Sequence, residues 1–124
     1  MPKITIIGAG SAVFTRNIIA DILSHSSLAG CHIALQDISA QRLETARLLA
    51  EAVNKVFGGG AVIHATMDRR EALSGADFVI NTIGVGGAEA TRTDLKVPLQ
   101  YGLRQTVGDT MGVGGIFRAA RSIP

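Results

Sequence analysis

The stretch Lys3-Ile4-Thr5-Ile6-Ile7-Gly8-Ala9-Gly10-Ser11 decides the fold. A short β-branched, apolar run that ends at glycine reads as a buried strand. Ala12–Leu23 follows with Phe14, Ile18, Ile19, Ile22 and Leu23 at helical spacing, so strand, glycine turn and helix succeed one another. That junction is where a chain binds phosphate. Gly8 permits the tight turn, and Gly10 removes a side chain so that a diphosphate can approach the backbone. Ser11 leads into a helix N-terminus with free N–H groups and partial positive charge. The third glycine of the G-x-G-x-x-G pattern is replaced by Val13. That glycine serves helix–strand packing rather than phosphate contact, so its loss is tolerable. Gly-x-Gly by itself also serves ordinary turns; its place after a strand makes it a dinucleotide signal.

Downstream, strands and helices alternate. His32–Gln36 is a second strand ending at Asp37, and Ser39 can cap a helix that runs to Phe57. Leu43, Ala46, Ala50, Val53 and Phe57 form its apolar stripe, and Arg47, Glu51 and Lys55 stand four apart on another face. Gly58-Gly59-Gly60 stops it. The pattern predicts a third strand over Ala61–Thr66, a short helix over Asp68–Leu73 and a fourth, most apolar strand over Asp77–Ile83. A glycine-bearing loop, Gly84–Gly87, precedes a helix over Thr93–Tyr101, which Pro98 bends or ends. Gly102–Val113 reads as irregular and Gly114–Ser122 as a last helix. This order predicts an α/β fold: a Rossmann-like doubly wound parallel sheet with strand order 3-2-1-4. Four strands are fewer than the six of a full doubly wound sheet, so the chain reads as truncated. Residues 1–124 read as a single dinucleotide-binding domain.

Asp37 is the second chemical signal. A carboxylate at the end of strand two can accept hydrogen bonds from both adenosine ribose hydroxyls and repels a 2′-phosphate, which favours NAD over NADP. The alternative is a solvated turn aspartate ahead of a helix cap. The third signal is the glycine-rich run from Gln105 to Pro124, in which Asp109 is the one acid. A plain dinucleotide fold does not require this segment. On the residues alone it is either a ligand-facing loop or a glycine loop with a solvated aspartate.

Composition narrows the function. The 124 residues are 47% hydrophobic, enough for a packed core. Twelve Lys and Arg against ten Asp and Glu give a net charge of only +2. No run of cations marks a nucleic-acid or membrane-surface partner. The single cysteine, Cys31, excludes an internal disulfide and fits a reducing compartment, the cytoplasm. No leader or spanning segment is legible.

The segment Thr66-Met67-Asp68-Arg69-Arg70-Glu71-Ala72-Leu73-Ser74-Gly75-Ala76-Asp77-Phe78-Val79-Ile80 and the closing Gly114-Gly115-Ile116-Phe117-Arg118-Ala119-Ala120-Arg121-Ser122-Ile123-Pro124 resemble glycoside hydrolase family 4. The Gly-x-Gly-Ser turn and the acid after strand two extend that resemblance over the whole chain. Within the family the α-galactosidase branch is the most similar. The 6-phospho-glycosidases usually carry an arginine at the position of Gly84, and its absence argues against a phosphorylated sugar.

The resemblance implies a hydrolase that works through transient oxidation rather than through two carboxylates. NAD takes a hydride from C3 of the sugar, a base removes the C2 proton, and the C1 leaving group departs. Water then adds, and the hydride is returned. A divalent metal, commonly Mn, stabilises the enediolate. It implies that Gly8, Gly10, Ser11 and Asp37 bind NAD, that Asn81 and Thr82 line the nicotinamide side, and that Asp109 tunes the base by charge. The metal ligands and the tyrosine base of the family lie downstream, so no metal ligand is expected here. Cys31, His25, His32 and His64 then read as structural or surface groups, and Tyr101 is not the base. The full-length protein is expected to be a homo-oligomer that takes a small glycoside.

Two other residue pairs stay open. Arg92 and Asp94 are either a solvated helix start or include a substrate arginine. Arg118 and Arg121 are either a solvated face or a sugar or subunit contact. Two other functions remain open at this stage: a fragment of a lactate/malate-type 2-hydroxy-acid dehydrogenase, or a non-catalytic nucleotide-binding module.

Overall fold

A computed structural model describes residues 1–106 and 112–123. The chain forms two compact units, Met1–Thr82 and Ile83–Pro124.

The first unit is the parallel sheet the sequence predicts. Its elements are β1 (Lys3–Ile7), α1 (Ala12–Ser24), β2 (His32–Gln36), α2 (Ala40–Val56), β3 (Val62–Thr66), α3 (Arg69–Leu73) and β4 (Phe78–Asn81). Strand order is β3-β2-β1-β4, all parallel, with Ile6 opposite both Leu35 and Ile80. The two central strands are covered on both faces, which explains their unbroken apolar runs. Ile6, Ile33 and Leu35 are buried with Ile19 and Cys31 at the centre of the core. Two buried hydroxyls find backbone partners. Thr5 Oγ1 donates to the Ala72 carbonyl (2.8 Å), and Thr15 Oγ1 donates to the Ala9 carbonyl (2.7 Å). The first ties α3 to β1 and the second ties α1 to the glycine turn, each at little net cost, because a buried hydroxyl left unpaired would be destabilising.

Several expectations need correction. The buried stripe of α1 is Thr15, Ile19 and Leu23, while Phe14 is 64% exposed. In α2 the buried residues are Leu43, Ala46 and Ala50, and Phe57 lies beyond the helix, partly exposed. The surface network of α2 runs from Arg47 to Glu44 (2.6 Å) and Glu51 (2.5 Å), without Lys55. Asp68 caps α3 rather than lying within it; its carboxylate accepts from the Arg70 N–H at 2.8 Å. The fourth strand is shorter than its apolar run and is not buried. Among the described residues it is an edge strand with one neighbour, and Phe78 and Val79 are 61% and 52% exposed. Its start is pinned to β1, where Asp77 Oδ2 accepts from the Lys3 N–H at 2.7 Å and the Asp77 N–H donates to the Lys3 carbonyl at 2.9 Å.

The second unit is a helical hairpin of α4 (Gly87–Gln100) and α5 (Val113–Ser122). α4 starts earlier than the sequence reading places it. Gly86 takes a left-handed φ of 86° at its N-cap, which glycine alone does without strain. Arg92 and Asp94 therefore lie inside the helix rather than at its start. Pro98 sits in the last turn and has no N–H to offer the Asp94 carbonyl one turn earlier. Gly114 of α5 packs against that same carbonyl, and a Cβ there would collide with it. The two departures from good helix formers thus fit one another. Among the described residues no helix is long and apolar enough to cross a membrane.

Candidate functional site

Parallel pairing brings the carboxyl ends of β1, β2 and β4 to one edge of the sheet, where ligands bind in folds of this kind. Four of the sequence-derived residues, Gly8, Gly10, Ser11 and Asp37, meet there. Gly8 has φ 82°. The N–H groups of Gly8 and Ala9 both donate to the Gln36 carbonyl at 2.9 Å, so the turn is folded onto the end of β2. Asp37 completes it. Its Oδ2 accepts from the Gly10 N–H (2.8 Å) and its Oδ1 accepts from the Ser39 N–H (2.9 Å). A Cβ on Gly10 would lie 2.6 Å from Asp37 Oδ2 and 2.8 Å from Arg42 Cβ. Gly10 therefore has a reason to be glycine before any ligand arrives.

The carboxylate is not exhausted by these two bonds. An ionised carboxylate offers about four lone-pair sites, so two remain for hydroxyl donors. Next to it, α1 begins without a cap: Ser11 makes no side-chain cap bond and no acid stands in the first turn. Its first N–H groups and the Ser11 hydroxyl are available to an anion. Val13, at the position of the missing third glycine, is 65% exposed, so its side chain meets no packing conflict. These features fit the diphosphate and ribose of a dinucleotide.

Asn81 and Thr82 close the edge at the end of β4. Asn81 is exposed and stands opposite Ile7. The Thr82 N–H donates to the Ile7 carbonyl at 2.9 Å, and its hydroxyl lies 3.0 Å and 2.9 Å from the carbonyls of Ile7 and Gly8. With a single proton, that hydroxyl is engaged in holding the glycine turn to β4. Its position is fixed by the turn rather than by a ligand.

Asp109 lies outside the described residues. In the second unit the structure pairs one residue from each of the two pairs that the sequence left open between a solvated face and a contact. Asp94 is only 8% exposed and accepts a two-pronged bond from Arg121, with Nη1 to Oδ1 at 2.9 Å and Nη2 to Oδ2. These hydrogen bonds hold the Asp94 carboxyl below its ordinary range. Arg121 Nε is buried without a partner among the described residues. Gln105 Oε1 accepts from the Gly114 N–H at 2.9 Å, fastening the start of α5. Local pattern carries little sign of the pair, because Asp94 reads as part of a helix start and its partner lies 27 residues away.

The remaining groups carry structural roles. Cys31 is fully buried, and desolvation pushes its thiol pKa up. His25, His32 and His64 are exposed. His64 Nε2 lies 3.1 Å from Glu71 Oε1, and the Thr66 hydroxyl bonds the other oxygen and holds Glu71 below its ordinary range. Among the described residues no three His, Cys, Asp or Glu side chains gather as metal ligands would.

The family 4 glycosyl hydrolase profile matches residues 3–124. An alpha-galactosidase of Bacillus subtilis (strain 168) is 45% identical, the match covering 100% of this chain and 29% of that protein. An alpha-galactosidase of Rhizobium meliloti (strain 1021) is 42% identical over 98% of this chain and 25% of its own length. Among solved structures, a 6-phospho-alpha-glucosidase from gut microorganisms, in complex with NAD and glucose-6-phosphate, superposes with a TM-score of 0.81 at 28% identity. That match covers 98% of this chain and 27% of the other. The chain thus spans between a quarter and three-tenths of the length of these relatives.

Proposed function

The chain belongs to the family 4 glycosyl hydrolases, and on that footing we propose that residues 1–124 are the NAD-binding part of a glycosidase acting on α-galactosides. Membership of that family sets aside the lactate/malate-type dehydrogenase. The observation that carries the reading is the Asp37 carboxylate, held by the N–H groups of Gly10 and Ser39 beside an uncapped helix N-terminus. In this reading the loop Gly8–Ser11 and the first turn of α1 take the diphosphate. The free lone pairs of Asp37 take the ribose hydroxyls, and Asn81 and Thr82 flank the nicotinamide. Bound NAD supplies a reversible hydride acceptor, which is the reason a hydrolase would carry a dinucleotide site. The protein's part is to bind and orient it, and the prepaid geometry of the loop lowers the cost of doing so.

Two observations support an unphosphorylated α-galactoside. The two relatives named above, at 45% and 42% identity, are alpha-galactosidases. Gly84 brings no cation, although a Cβ there would meet nothing within 4 Å, so space does not forbid a side chain. Asp109 is proposed, by resemblance, as the acid that raises the basicity of a base supplied by the rest of the protein. Mn ligands, too, would come from the part of the relatives beyond this match. A cytoplasmic homo-oligomer is the proposed state of the full-length protein.

Calorimetry with NAD on the wild-type chain and on Asp37→Ala tests the reading. Loss of two acceptor bonds to ribose should weaken binding about tenfold or more. Equal affinity in the two proteins would remove Asp37 from the site.

A further inference from the structure

The glycine turn has a neighbour that the dinucleotide pattern does not include. Arg42 stands in the first turn of α2, with its N–H donating to Ser39 Oγ at 3.4 Å. Its Cβ lies against the turn, 2.8 Å from where a Cβ on Gly10 would be. The side chain is exposed and makes no hydrogen bond or ion pair among the described residues. Other cations nearby in sequence are neutralised: Arg47 is shared by Glu44 and Glu51. The carboxylate beside the same glycine, Asp37, accepts from two backbone N–H groups and makes no bond to Arg42. The result is an arginine rooted beside the turn, with no ion-pair partner among the described residues, where the other anion-binding groups are neutral dipoles.

We propose that Arg42 is a phosphate-binding residue of this site, supplying the full positive charge that the glycine turn and the N-terminus of α1 lack. The inference rests on the dinucleotide reading above and adds to it a residue and a selectivity. A guanidinium matches two phosphate oxygens at once and stays charged at every working pH. Its target is a phosphate oxyanion of a dinucleotide. This is either the bridging diphosphate, common to NAD and NADP, or the 2′-phosphate of NADP. In the second case Arg42 offsets the repulsion from Asp37, and the choice between the two cofactors belongs to the pair rather than to Asp37 alone.

Calorimetry with NAD, NADP and adenosine on the wild-type chain, Arg42→Ala and Arg42→Lys, at low and at moderate salt, tests this. Thermal melts confirm that each variant is folded. Arg42→Ala should bind about tenfold more weakly with a shallower dependence on salt, and Arg42→Lys should recover part of the loss. A loss shared by both dinucleotides assigns the bridging diphosphate, and a loss confined to NADP assigns the 2′-phosphate. Arg42→Ala with wild-type affinity and wild-type salt dependence for both would overturn the proposal. An equal loss for adenosine, which has no phosphate, would overturn it as well. A wild-type chain that binds neither dinucleotide would overturn the dinucleotide reading itself.

Discussion

A single missing Cβ organises the candidate site. Gly10 lets the Asp37 carboxylate reach the backbone and lets α2 pack against the turn. Gly10→Ala would put a methyl group 2.6 Å from Asp37 Oδ2, inside contact distance, so the carboxylate must move off. The Gly10 N–H then loses its acceptor. We expect a loss of stability of about 1 kcal/mol, the net worth of one such bond, and NAD binding weakened more than tenfold, because acceptor and loop shift together. Urea unfolding and calorimetry on the same preparations check both. Wild-type NAD affinity in Gly10→Ala would show that the turn does not approach the cofactor.

At the scale of elements, a charge pair joins the two helices of the α4–α5 hairpin. Arg121 lowers the pKa of Asp94 by hydrogen bonding to its ionised form. A carboxyl whose folded pKa lies below its unfolded value contributes stability that is fully present above the unfolded value, near 3.9, and is lost as pH falls through the folded one. Helix content followed by circular dichroism should therefore fall below about pH 4. Glu44 and Glu71 in the other unit are also lowered, by hydrogen bonds from Arg47 and Thr66, and add their own acid-side loss. The difference between wild type and Asp94→Asn isolates the hairpin. The variant should melt earlier at neutral pH, because Arg121 is left without its counter-charge, and the two proteins should converge as acid is added. Parallel curves for the two proteins across the whole range would mean that the pair does not hold the hairpin.

For the whole molecule, the decisive fact is what the sheet leaves uncovered. β4 has one neighbour, and Phe78 and Val79 are exposed on it. An open apolar edge pairs with other chains. The 124-residue chain should associate with rising concentration in light scattering, and Val79→Lys should reduce that association. If the variant scatters as strongly as wild type, the edge is not the cause. Activity follows the same logic. The chain spans between a quarter and three-tenths of its relatives' length, and in the proposed reading the metal, which contributes several kcal/mol to a transition state of this kind, is held by the remainder. The isolated chain should release no p-nitrophenol from an α-galactoside with NAD and Mn supplied. Turnover by the purified chain would contradict this.

The alternation of strand and helix, the strand order 3-2-1-4 and the gathering of Gly8, Gly10, Ser11 and Asp37 were legible in the sequence alone. All of them follow from local rules: hydrophobic period, glycine at a turn, an acid at a strand end, and the fixed hand of crossovers. Tertiary structure decided the rest. Whether an apolar run such as Asp77–Ile83 is buried depends on which strands flank it, and here it became an exposed edge. Whether Asp94 is solvated depends on a partner 27 residues away. That Asp37 bonds Gly10 and that Arg42 stands beside them required α2 to pack against the turn. Periodicity describes each element against a generic core. Which side chains face one another depends on the packing between elements, and local pattern carries no record of that.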